Sequence, residues 1–119
     1  MTENFRGLKV YQKAYSVIME IYKASAMFPR EELYGITSQI RRASVSVALN
    51  IAEGYGRKDG SSKDYRQFLI ISKGSCNEVQ VLLEICKDLK YIESGLYTKL
   101  IEATDETAKM LQGLIKSLN

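Results

Sequence analysis

The sequence predicts an all-α protein: one antiparallel, up-down-up-down four-helix bundle spanning residues 1–119. Three observations predict it. The 119-residue chain holds one proline, Pro29, and its few glycines cluster near turns. Apolar residues recur every three or four positions through four long runs, the helical period. The connections between those runs are short, which makes successive helices antiparallel neighbours. Apolar residues make up 45% and charged residues 26%, so the chain is globular and long enough to bury a modest core.

Helix 1 is expected over about 8–28. Val10, Ala14, Val17, Ile18, Ile21 and Ala24 form its stripe, flanked by Tyr11, Tyr15 and Tyr22. Pro29 ends it, because the residue before a proline is pushed out of helical geometry.

Helix 2 is expected over about 33–55, with Ile36, Ile40, Ala43, Val47 and Ile51 inside and Gly54 and Gly56 at its end. It carries a polar line: Arg42, Ser46, Asn50, Glu53 and Arg57 follow at spacings of three or four and share one side. Beside that line lie small residues, Ala43, Ser44, Ser46, Ala48, Ala52 and Gly54. Small side chains admit a close helix, so Arg42, Ser46, Asn50 and Glu53 are read as structural. Arg42 and Glu53 would then form a helix-to-helix ion pair, or bond where two chain segments meet.

Helix 3 is expected over about 62–89, after the solvated turn GRKDGSS, with Ser61 or Ser62 as N-cap. Tyr65, Phe68, Leu69, Ser72, Cys76, Val79, Leu82, Leu83, Cys86 and Leu89 make a seam near heptad spacing. Helix 4 is expected over about 94–118, with Leu100, Ile101, Thr104, Ala108, Leu111, Ile115 and Leu118 among its inner residues.

Helix 3 has a second apolar side. Ile70, Ile71, Val81 and Ile85 fall roughly opposite its core seam. A helix apolar on two faces is usually covered on both, so this side is expected to meet another subunit.

Net charge is +3, and the middle of the chain holds the excess. Between Arg41 and Lys73, seven bases against three acids leave +4, so the remainder sums to −1. Arg57, Lys58, Lys63, Arg66 and Lys73 are the candidate basic patch for RNA phosphates. Arg57 and Lys58 also suit the negative end of the helix 2 dipole.

The chemistry of common enzymes is missing. There is no histidine, hence no usual general base and no commonest metal ligand. Neither phosphate-binding glycine loop is present, and no cofactor or metal is expected. Cys76 and Cys86, ten residues apart on one helix, lie about 15 Å apart and cannot form a disulfide. No apolar run reaches the roughly 20 residues of a membrane span, and MTENFRGLKV lacks a signal-peptide core. A cytoplasmic protein is expected, with no small-molecule substrate.

Three stretches, FRGLKVYQKAY at 5–15, FPREELYGITSQIRRASVSVALNIAEGYGR at 28–57 and YRQFLIISKGSCNEVQ at 65–80, carry a family resemblance. Together they resemble the small bacterial four-helix-bundle proteins encoded in intervening sequences of 23S ribosomal RNA genes. The match weakens in helix 4. The resemblance implies a bundle assembled into a ring, typically a pentamer. That family is in turn similar to the accessory protein of diversity-generating retroelements, a basic pentamer that binds nucleic acid and a reverse transcriptase. The function expected is thus a non-enzymatic homo-oligomer that binds RNA or joins a ribonucleoprotein. The alternative is a structural or protein-adaptor ring whose basic residues only solubilise it.

Overall fold

Side chains that bridge the helices at matching heights mark their antiparallel order. In the computed structural model, which describes residues 4–118, α1 spans Lys9–Ser25, α2 Ile36–Gly56, α3 Ser62–Asp88 and α4 Ser94–Ser117. Lys13 pairs with Glu106 at 2.6 Å and Lys99 with Glu20 at 3.3 Å, so α1 and α4 run in opposite directions. Ser46 Oγ and Ser75 Oγ share a 2.9 Å hydrogen bond, and Gly54 lies against Tyr65 and Phe68, which makes α2 and α3 antiparallel. Lys73 Nζ donates to Gln112 Oε1 at 2.8 Å between α3 and α4. The four helices form the expected up-down-up-down bundle, and no strand occurs among the described residues.

One continuous core runs through the middle. Ile21, Ile40, Ile51, Leu69, Leu83, Leu100 and Leu111 are its largest fully enclosed aliphatic side chains. The α2–α3 contact is the most extensive helix pair. Its seam is built from small residues, as expected from helix 2: Ser46 meets Ser75, and the buried Ser72 hydroxyl donates to the Val47 carbonyl at 2.7 Å. That bond satisfies a hydroxyl which would otherwise be costly to bury.

The helix ends differ from the sequence reading in two places. Helix 1 stops at Ser25, not at 28. The amides of Met27 and Phe28 bond to carbonyls only three residues back, so the chain tightens before Pro29. This turns Phe28 onto Tyr91, with ring centroids 5.5 Å apart. Helix 2 starts at Ile36, not at 33. Pro29 instead caps a one-turn 3₁₀ helix at Arg30–Glu32, and Glu32 Oε1 accepts from the Ile36 amide at 3.3 Å. Glu32 Oε2 also accepts from the Tyr91 hydroxyl at 2.9 Å, which ties the first and third connections together.

Ser61 is the N-cap of α3, and its side chain accepts from the Asp64 amide. At the other end Lys90 sits at φ 63°, with the Tyr91 amide bonded to the Cys86 carbonyl and that of Lys90 to Lys87. This is a Schellman stop with lysine where glycine is usual. It leaves Leu89 exposed, so the last residue assigned to the core seam lies outside it.

Candidate nucleic-acid interface and subunit faces

The five basic residues singled out from sequence do not form one free patch. They lie at one end of the bundle, on α3 and on the turn before it. Arg57 is engaged: it pairs with Glu53 at 3.2 Å and Asp64 at 3.8 Å, and its guanidinium lies over the Phe68 ring. Lys58 pairs with Asp59 at 3.3 Å and lies over Tyr55. Lys73 is half-buried and held by Gln112. Arg66 is half-buried too, and its Nε is enclosed without a hydrogen-bond partner among the described residues. Lys63 is exposed, with no ion-pair partner among the described residues.

The antiparallel order adds residues that reading along the chain missed. Ala14, Val17, Ser44, Val47, Cys76, Val79, Thr104 and Thr107 meet around a small void and mark the waist of the bundle. On one side of the waist lie residues 4–16, 46–77 and 106–118, with ten Lys and Arg against four Asp and Glu, a balance of +6. On the other side, 17–45 and 78–105 hold seven against nine, a balance of −2. The bundle is 44 Å long, so its two ends differ in sign over several Debye lengths. Arg6, Lys9 and Lys116 join Lys63 at the basic end, and all four are exposed. Their grouping follows from the pairing of the N-terminus of α1 with the C-terminus of α4, which no local motif announces.

The helix 2 polar line has two halves. Ser46 reaches α3 through Ser75, and Asn50 bonds back to Ser46 within α2: Asn50 Nδ2 donates to the Ser46 carbonyl at 2.8 Å and to Ser46 Oγ at 3.1 Å. Arg42 and Glu53 face outward. The ion pair expected for them between helices of the bundle is not formed. Arg42 is exposed with no partner among the described residues, and Glu53 bonds its own helix neighbour Arg57. An exposed i,i+4 pair contributes little, so Glu53→Ala is expected to lower unfolding stability by about 0.5 kcal/mol or less. A urea titration that showed a loss several times larger would restore a buried role.

Outward from that line runs an open groove of about 870 Å³ along α2, lined by Tyr22, Leu33, Tyr34, Arg42, Leu49 and Glu53 among others. Tyr34 is 93% exposed and Leu49 63%. On the neighbouring corner, Ile70, Ile71, Val81 and Ile85 form an exposed apolar ridge on α3.

The two thiols lie in the core. Burial pushes the Cys76 thiol up to about 12, and burial with the nearby Glu32 pushes Cys86 up to about 11. Both therefore stay protonated at neutral pH and are poor nucleophiles. Tyr91 is held above the usual phenol range, first by its hydrogen bond to Glu32 and then by burial. Among the described residues no group of three or more His, Cys, Asp or Glu is gathered as metal ligands. No described helix is long and apolar enough to cross a membrane.

The model of the 23S rRNA-intervening sequence protein family matches residues 6–113, nearly the whole bundle. The chain belongs to that family. A crystal structure of a protein of unknown function from the S23 ribosomal protein family of Bacteroides thetaiotaomicron has the same fold. The TM-score is 0.80 and the identity 25%, over 90% of this chain and 98% of that one. No match is found among curated proteins. The family match also covers α4 up to residue 113, where the motifs carry least of the resemblance.

Proposed function

We propose that this family member is a non-enzymatic cytoplasmic homo-oligomer that binds RNA phosphates through the basic end of its bundle. The ring would be a pentamer, as the family resemblance implies. The observation that carries the reading is the charge polarity of the bundle, +6 on one side of the waist and −2 on the other. A ring with all basic ends on one face would repeat a weak site once per subunit. Multivalency then raises affinity without any new contact. Lys63, with Arg6, Lys9 and Lys116, replaces the original five-residue patch as the principal contact, because Arg57, Lys58 and Lys73 already have partners.

The same pairing supports one competitor. A protein whose central bases are largely neutralised within the chain suits an adaptor ring without nucleic acid. Binding to a structured 23S rRNA fragment, titrated against salt, separates the two. Binding should fall steeply with salt and show little sequence preference, since phosphate contacts release counterions and carry no direct sequence information. Replacing Lys9, Lys63 and Lys116 together by Gln should weaken binding at least about tenfold and flatten the log–log salt slope by about two for each subunit engaged. Lys73→Gln should leave it unchanged. A triple variant that binds like the parent at low salt removes this site. A parent protein that does not bind puts the adaptor reading first.

A further inference from the structure

We infer that neighbouring copies join heterologously, the α3 ridge of one seated in the α2 groove of the next, with Arg42 facing Glu78. The inference rests on the ring reading and names the two surfaces that would close the ring.

Two apolar surfaces are left uncovered, and they lie on adjacent corners of the bundle. The ridge carries Val81, 54% exposed, between Ile70 and Ile85; the groove carries Leu33, Tyr34 and Leu49. Pairing ridge with ridge would leave the groove bare. One heterologous contact covers both at once, and repeating it generates a ring if the rotation closes. Adjacent corners of a four-helix square face outward about 90° apart. A closed ring needs about 90° between its two contact faces for four subunits and about 108° for five.

The heights of the two surfaces match. In a cyclic ring whose axis runs along the bundles, neighbours are not shifted along that axis, so each residue meets its neighbour's residue at the same height. The Ser46–Ser75 and Val47–Ser72 bonds fix the relative heights of α2 and α3. Counting outward from them, Leu49 is level with Ile70 and Ile71, and Leu33 and Tyr34 approach the level of Ile85. Val45 is level with Gly74, whose missing Cβ leaves open space for a close approach. Arg42 is level with Glu78. Both are exposed and lack an ion-pair partner among the described residues. An unpaired cation in the groove thus meets an unpaired carboxylate beside the ridge, which favours this register over a shifted one. The same geometry points every basic end to one face of the ring.

Two single-face variants test this by light scattering at micromolar concentration, with circular dichroism to confirm folding. Leu49→Asp spoils the groove and Val81→Asp the ridge; both positions are exposed in the lone bundle. Each variant should be monomeric near the 13.5 kDa chain mass. Their equimolar mixture should give a dimer of one copy each and nothing larger, since only one intact ridge and one intact groove remain. A mixture that stays monomeric overturns the pairing, as does either variant remaining assembled, and in these cases an assembled parent keeps the ring reading alive. A monomeric parent overturns both. Charge reversal repeats the test without touching apolar packing. Arg42→Glu and Glu78→Arg should each weaken assembly about tenfold, and the double variant should recover most of it. No recovery sinks the Arg42–Glu78 register.

Discussion

Gly54→Leu is expected to lower unfolding stability by about 3 kcal/mol and to drive α2 away from α3. A Cβ at position 54 would stand 2.9 Å from Phe68 Cβ, 3.1 Å from Tyr65 Cδ1 and 3.2 Å from the Tyr65 carbonyl oxygen. The first and last of these are a side-chain root and backbone, neither of which can swing aside. Alanine gains about 1 kcal/mol of helix propensity over glycine, which offsets part of its smaller clash. Leucine has a similar propensity gain over glycine but adds bulk that this contact cannot take in. Urea unfolding of parent, Gly54→Ala and Gly54→Leu at one fixed protein concentration should rank them in that order. The fixed concentration matters because assembly itself stabilises the folded chain. An unchanged midpoint for the leucine variant would mean that α2 and α3 do not meet there.

Leu69→Ala is expected to cost a similar amount by the opposite mechanism, about 3 kcal/mol within a range of about 2–5. Leu69 has no exposed surface and lies in the continuous core. Truncation removes apolar contact and leaves a void that the helices close only in part. The neighbouring residue supplies the control. Ile70 is 38% exposed on the ridge, so Ile70→Ala should leave the unfolding midpoint of the monomeric Leu49→Asp background nearly unmoved while weakening assembly of the parent. Equal losses at positions 69 and 70 in that monomeric background would contradict the assignment of one to the core and the other to an outer face.

Helix existence and the buried stripes were legible in the sequence. Ile36, Ile40, Ala43, Val47 and Ile51 are all buried, as their spacing requires. Periodicity is a local property, and a period of 3.6 sorts residues onto faces before any partner is known. The small residues of helix 2 likewise announced a close neighbour, because the absence of side-chain volume is visible in the chain itself. The ridge on α3 was legible for the same reason: Ile70, Val81 and Ile85 fall on one side at regular spacing and are exposed.

Helix ends are less legible. Pro29 does stop helical geometry, but the stop spreads three residues back because the chain tightens through three-residue bonds. Leu89 fits the seam by number, yet the left-handed turn at Lys90 ends the helix and lifts it out.

Charge was where tertiary structure decided most. Along the chain, Arg57, Lys58, Lys63, Arg66 and Lys73 are neighbours and look like one patch. In the bundle three of them have partners, and Lys63 acquires company from Arg6, Lys9 and Lys116, which sequence separation hides. The polar line of helix 2 divides in the same way. Its spacing placed Arg42, Ser46, Asn50 and Glu53 on one side of a helix, but that side is broad enough to straddle the edge of the contact with α3. Ser46 falls at the edge, with Asn50 bonded to it, and Arg42 and Glu53 fall outside. A sequence determines which residues share a helical face, since the period is set by backbone geometry. Where the face stops being buried is set by the position and width of the neighbouring helix, and only the packed structure contains that.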